Sequence, residues 1–243
     1  MGDIMKVLCT ICARGGSQGV KNKNIISLCG KPLIAHTILQ AKKSGLFGAI
    51  SVSSDSKKIL SIGKKWGADY LIERPLELAS SIAAKIPAIQ HAVTQTEELS
   101  NTEFDILVDL DATAPLRSIN DLRNSFDLFI KNKTAMNLIT GCPARKSPYF
   151  NMVEVTQNGF AHLSKISERP IIRRQDSPPC YDMNASIYIW KRATLFSNLP
   201  VVSDHTVLYV MPEERSIDID TPLDLIYVRL LARNRDDLKK MGL

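Results

Sequence analysis

Apolar and polar residues alternate between two periods along much of the chain. Val7-Leu8-Cys9-Thr10-Ile11-Cys12 is a short apolar run with glycines after it, which predicts a buried strand. Leu33, Ile34, Ile38, Leu39 and Ala41 then recur at helical spacing, with Pro32 before them and Gly45 after, which predicts a helix over 33–44. Ala49 to Ser53 is a second strand. Ser54-Asp55-Ser56 caps a helix over 57–66 that stops at Gly67, and Tyr70-Leu71-Ile72 is a third strand. This β-α-β-α-β pattern implies a parallel sheet with right-handed crossovers.

The same periods continue with a helix over 86–98, a strong strand over 104–110, a helix over 118–129 and a strand over 137–140. From Gly141 to Asp182 the texture changes. Prolines stand at 143, 148, 170, 178 and 179, and Phe150 to Leu163 reads as a hairpin about Gln157-Asn158-Gly159. Regular elements then resume as a strand over 184–190, a short helix over 191–196, a strand over 208–211 and a final helix over 223–233. The expected fold is a single α/β domain over 1–243, a Rossmann-like three-layer αβα arrangement with a mainly parallel central sheet. Residues 141–183 form an irregular β-ribbon extension suited to embracing a second subunit, so a homodimer is expected.

Composition narrows the partners. The chain has 243 residues, is 44% hydrophobic and carries a net charge of +6, which suits a globular protein with an anionic substrate. It has no long Lys/Arg run, so nucleic acid is not the expected partner. No apolar stretch reaches the about 18 residues of a membrane span, and the start lacks a signal-peptide pattern, so a cytoplasmic protein with no membrane partner is expected. The five cysteines are scattered and odd in number. Cys9 and Cys12 fall on opposite faces of a strand, which argues for buried thiols rather than a zinc or redox pair. The four histidines show no metal-ligand spacing.

Candidate chemistry begins where the first strand ends. Arg14-Gly15-Gly16-Ser17-Gln18-Gly19 is followed by Lys21, Lys23 and Asn24. Glycines let backbone N–H groups approach phosphate oxygens and the cations add charge, although the spacing matches neither a Walker A loop nor the dinucleotide fingerprint. Asp218 and Asp220 form a D-x-D pair whose carboxylates share one face if the segment is extended. They either hold Mg²⁺ or Asp220 simply caps the following helix. Arg74, Arg117, Arg173 and Arg174 stand in irregular stretches and are surface residues by default, Arg117 being favoured by its place after a strand. Asp111 ends a strand and faces the expected crevice, while Asp109, inside an apolar run, calls for a buried cation beside it.

Ala-Arg-Gly-Gly-Ser-x-Gly-x-x-x-Lys-Asn, Arg74-Pro-x-Glu-Leu-Ala79, Ala114-Pro-Leu-Arg117, Asn184-Ala-Ser-Ile-Tyr188 and Asp218-Ile-Asp-Thr221 occur in this order. In that combination, which spans nearly the whole chain, the sequence resembles the acylneuraminate cytidylyltransferases. Cys9 to Arg14, Asp109 to Thr113 and Cys180 to Asn184 are most similar to the branch that makes CMP-legionaminic acid. The resemblance implies a fold of the nucleotide-diphospho-sugar transferase type and attack of a nonulosonic acid on CTP. It places Ala13, Arg14, Gly15, Gly16, Ser17, Lys23, Asn24, Arg74 and Ser80 at the nucleotide, with Arg14, Lys23 and Asp220 catalytic. It gives Mg²⁺ to Asp218 and Asp220. Asp111, Thr113, Arg117, Arg174, Gln175, Asn184 and Tyr188 would line the sugar site, and the irregular middle region would form the dimer. Gln18 departs from the family's usual lysine, and Lys21 is the residue that could replace that contact.

Overall fold

The computed structural model of the protein describes residues 5–17, 19–80 and 84–241. Strand β1 (Val7–Cys12) alternates as its sequence requires: Val7, Cys9 and Ile11 pack on one face of the sheet, while Leu8 packs on the other. The chain next makes a small hairpin of β2 (Ser27–Leu28) and β3 (Lys31–Pro32). Cys29 and Gly30, at φ of 47° and 78°, turn it tightly. Helix α1 (Leu33–Ser44), β4 (Ala49–Ser54), α2 (Lys57–Trp66) and β5 (Tyr70–Glu73) follow, matching the expected spans within a residue.

Helix α3 (Lys85–Ser100) then crosses to β6 (Ile106–Leu110), and α4 (Ile119–Lys131) leads to β7 (Asn137–Pro143). Ser118 caps α4 with a reciprocal bond to Asp121. The middle region carries a two-stranded ribbon of β8 (Val153–Val155) and β9 (Ala161–Leu163), turned at Gly159 as the sequence suggests. The remaining elements are β10 (Tyr181–Lys191), α5 (Arg192–Leu195), β11 (Thr206–Val210), α6 (Pro222–Ala232) and α7 (Asp236–Lys240). The short α7 was not expected, since only Leu238 of its five residues is buried and its apolar signal is slight.

Seven strands form one sheet in the order β11-β7-β10-β6-β1-β4-β5. All neighbours are parallel except β10, which runs antiparallel to both β6 and β7. Ile34 and Ile38 of α1, Ile59 of α2 and Leu122 and Phe126 of α4 cover one face. Ile89 and Val93 of α3 and Leu195 of α5 cover the other. The result is the expected three-layer αβα arrangement. A third apolar cluster ties α6 and α7 to Val20, Leu33 and Leu116, and so fixes the C-terminal segment against the loop after β1. No helix among the described residues is long and apolar enough to cross a membrane.

Candidate active site

Parallel strands end at the same edge of a sheet, so the loops after β1, β5 and β6 converge. There they line a cleft of about 460 Å³ together with the start of α3, Ala185 of β10 and the segment before α6. One wall is cationic. Arg14 donates from Nη1 to the Ser80 carbonyl at 3.1 Å. Arg74 is buried and donates to the Ser53 hydroxyl and carbonyl at 3.1 and 2.9 Å, so it is held rigidly at the cleft edge. Asn24 donates to the Arg14 carbonyl at 2.9 Å and braces the loop from beneath. Ser17, Lys23 and Ser80 complete this wall.

The glycines serve different ends. The Gly15 N–H is taken by Asp55 Oδ1 at 2.8 Å, and the Ala13 N–H by the Ser53 carbonyl at 2.9 Å with its side chain buried in the core. These two residues hold the loop to β4, so their N–H groups are not free for phosphate. Gly16 has open space where a Cβ would stand. A Cβ on Gly19 would collide with the Asp220 carbonyl oxygen, so the loop reaches the D-x-D segment only because position 19 lacks a side chain. Gln18 lies outside the described residues.

The opposite wall is acidic. Asp111, Thr113, Asp218 and Asp220 all face the cleft. Helix α6 is capped by Thr221 and Asp224, not by Asp220, which leaves Asp220 free for other work. Its side chain is 75% exposed and meets Lys23 Nζ at 2.9 Å across the cleft. Asp218 accepts from the Ala185 N–H at 3.1 Å, while its Oδ1 is buried without a hydrogen-bond partner. Burial, with the charges of Asp111 and Asp220 added, pushes the Asp218 carboxyl up to about 6. Asp111 Oδ1 accepts from the Thr113 N–H and hydroxyl, each at 2.9 Å.

Lys85, which sequence reasoning missed, stands among these acids. Its Nζ lies 3.1 Å from Asp109 Oδ2 and 3.2 Å from Asp111 Oδ2, and 4.4 Å above the Tyr188 ring. Burial works against the ammonium, but the two aspartates outweigh it and hold the lysine well above its ordinary range. Burial likewise opposes the Asp111 charge, yet Lys85 and Thr113 keep that carboxyl below its usual range. Asp109 also accepts from the Thr10 hydroxyl at 2.9 Å, its neighbour on β1. Lys85, two-thirds buried, is the cation that Asp109 called for. No local signal marked it, since Lys85 opens α3 one residue before the apolar pattern begins.

Several expected sugar contacts stand elsewhere. Arg117 is fully buried and spends its guanidinium on Gln40, Thr37 and the carbonyls of Asp111 and Ser186. It shapes the acidic loop from behind and does not reach the cleft. Asn184 is buried against Thr140 and Met211. Tyr188 is buried beneath Lys85 and stacked on Trp190 at 5.3 Å. Arg174 and Gln175 line a separate depression with Pro143, Ser147 and Pro178, where Arg174 donates to the Ala144 carbonyl. Among the expected sugar residues, only Asp111 and Thr113 line the cleft of the single chain.

A cationic glycine loop facing aspartates across the carboxyl edge of a parallel sheet is an arrangement for handling phosphate esters, and similarity to known proteins agrees. Residues 8–199 match the family model described as Cytidylyltransferase. The chain is 46% identical over 231 residues to Post-translational flagellin modification protein B of Campylobacter coli, covering 95% of this chain and 97% of that one. It is 46% identical over 226 residues to CMP-N,N'-diacetyllegionaminic acid synthase of Campylobacter jejuni, covering 93% and 94%. Pseudaminic acid cytidylyltransferase of the same species is 30% identical over 94% of this chain and 97% of its own length. Among solved structures, CMP:2-keto-3-deoxy-manno-octonic acid synthetase complexed with CTP superposes with a TM-score of 0.67 at 18% identity, over 94% of this chain and 98% of that one, and so shares the fold. With loop, acidic wall and sheet edge all inside or beside the matched span, the chain belongs to the cytidylyltransferase family.

Proposed function

We propose that this cytidylyltransferase joins CTP to a nonulosonic acid of the legionaminic type, giving the CMP-sugar and diphosphate. The observation that carries the reaction is the cleft itself, with Arg14 and Lys23 on one wall and Asp218 and Asp220 on the other. The choice of sugar rests on 46% identity to a named legionaminic acid synthase along almost the whole chain. On this reading the product serves the glycosylation of bacterial surfaces or flagellin, and the enzyme works in the cytoplasm.

Mg²⁺ fits the acidic wall. Asp218 Oδ1 is a buried oxygen with no hydrogen-bond partner, and Asp220 beside it is exposed to the cleft. Among the described residues no group of three or more His, Cys, Asp or Glu is placed to hold a metal. Two carboxylates completed by phosphate oxygens and water suit Mg²⁺, which keeps much of its own hydration shell. Asp218 and Asp220 would hold the ion, which would supply charge neutralisation at the phosphates.

The chain's own residues do the rest. Arg14 and Lys23 hold the triphosphate, with the backbone at Gly16 and Ser17 close beside them. Arg74 and Ser80 border the nucleotide. Asp111 and Thr113 orient the sugar, whose anomeric hydroxyl attacks the α-phosphorus as the bond to diphosphate breaks. Asp220, the exposed member of the pair, is the carboxylate placed to take its proton. Catalysis is then chiefly positioning and charge neutralisation. A homodimer formed through residues 141–183 belongs to the same proposal, supported by the exposed apolar side chains of the ribbon.

Diphosphate release from CTP and Mg²⁺ with a panel of nonulosonic acids tests the proposal. N,N'-diacetyllegionaminic acid is the expected best substrate. Failure of every sugar would overturn the reaction, and preference for N-acetylneuraminic or pseudaminic acid would overturn the branch. In the same assay a Gln18→Lys variant reports whether the loop's missing lysine limits the rate.

A further inference from the structure

Lys85 is an odd residue to find where it is. It opens α3, and a cation at the positive end of a helix macrodipole is unfavourable. Two-thirds of its side chain is buried, which costs solvation as well. The compensation is specific: Asp109 and Asp111 present one carboxylate oxygen each to its ammonium at 3.1 and 3.2 Å, over the face of Tyr188. Asp109 is 1% exposed, and its carboxylate lies against the Lys85 ammonium, the cation beside it on the cleft side.

The geometry points to Lys85 as a positioning residue that serves as a built-in cation of the active site: by occupying Asp109 and Asp111 it confines divalent metal to Asp218 and Asp220. Without the ammonium, Asp111 Oδ2 and Asp109 Oδ2 would converge on one empty point, and Asp111 borders the same cleft as the D-x-D pair. Two freed carboxylates so close repel unless a cation lies between them. With the lysine in place, Asp111 has Oδ1 on Thr113 and Oδ2 on Lys85, so its orientation toward the sugar side is fixed. The inference rests on the proposed metal role of Asp218 and Asp220, with Lys23, which meets the exposed Asp220 at 2.9 Å, turning to the triphosphate when CTP and metal enter.

Mn²⁺, a spectroscopically visible substitute for Mg²⁺, tests both parts. Crystals of the full-length wild-type protein with CTP are soaked in Mn²⁺ and located by anomalous scattering. The expected result is Mn²⁺ at Asp218 and Asp220 with none in contact with Asp111 or Asp109. Mn²⁺ at the D-x-D pair and also on Asp111 would overturn the Lys85 inference alone. An empty D-x-D pair would overturn the metal reading and the inference with it. In solution, Mn²⁺ titration followed by electron paramagnetic resonance is expected to count one more ion per chain in Lys85→Met than in wild type. The extra ion should vanish in Lys85→Met/Asp111→Asn and be absent in Lys85→Arg. A purely structural lysine would change melting temperature without changing that count, and a folded Lys85→Met with the wild-type count would sink the inference.

Discussion

Asp218 and Asp220 sit two residues apart yet live in different surroundings. Asp220 is exposed and its described partner is Lys23, so removing its carboxylate disturbs little packing. Asp220→Ala is therefore expected to lower turnover at least about a thousand-fold with a melting temperature within about a degree of wild type. Full activity in a diphosphate-release assay would remove its assigned role. Asp218 is different, because burial raises its carboxyl to about 6. As pH falls through 6 the proton displaces any cation, so divalent-ion affinity should weaken tenfold per pH unit below that value and level off above it. The sign for stability is the reverse of the usual salt-bridged aspartate. An acid whose folded pKa is raised costs nothing below its unfolded value near 4 and costs most above 6. Metal-free Asp218→Asn should accordingly be more stable than wild type at pH 8 and no more stable at pH 3.5, as denaturant titration would show. This pair was legible in the sequence because D-x-D spacing is local. The status of Arg117 was not: proline and polar neighbours mark a loop, but nothing local says that the guanidinium turns inward.

At the scale of elements, Arg117 joins three pieces of chain. It binds Thr37 and Gln40 of α1, Ser186 of β10 and the carbonyl of Asp111 after β6. Burial lowers its pKa to about 10, so it remains charged at neutral pH. Arg117→Met would strand several buried acceptors at once and should cost at least about 3 kcal/mol in denaturant unfolding, a loss far larger than a surface arginine would give. Hydrogen bonds tie the start of the loop after β1 to Ser53 and Asp55, and its Gly19 end meets the Asp220 backbone by close contact. Gly19→Ala forces it away from the Asp220 carbonyl and should weaken CTP binding about tenfold or more while changing stability little, since the loop edge is exposed. Helix and strand positions were readable here because their apolar periods are strong. The direction of β10 was not, since a strand that arrives from an irregular region carries no mark of whether it enters the sheet parallel or antiparallel. The start of α3 escaped for a related reason: Lys85 breaks the apolar pattern, and it is held there by partners from β6 that are distant in sequence.

At the scale of the molecule, one chain leaves apolar side chains of its extension exposed and most of the residues expected at the sugar away from the cleft. Val153, Val155, Phe160, Ile166 and Ile172 are exposed, and a two-stranded ribbon is only marginally stable without something packed on it. Arg174 and Gln175, expected at the sugar, line a depression beside that ribbon instead of the cleft. A second copy whose extension crosses to the first would cover the apolar side chains and carry these residues to the neighbouring cleft. Sedimentation should then give a dimer, and Ile166→Asp/Ile172→Asp should shift it to monomer with loss of turnover, although neither residue touches the cleft. Mixed dimers separate this from a merely stabilising interface. Asp220→Ala and Arg174→Ala are each expected to be nearly inactive alone. If Arg174 serves the partner's site, a heterodimer of the two variants holds one site with both defects and one with neither. Unfolding and refolding the variants together should then restore roughly a quarter of wild-type activity, from half the dimers with one working site each. No recovery, with heterodimers demonstrated by differential tagging, would place Arg174 in its own chain's chemistry or outside the chemistry altogether.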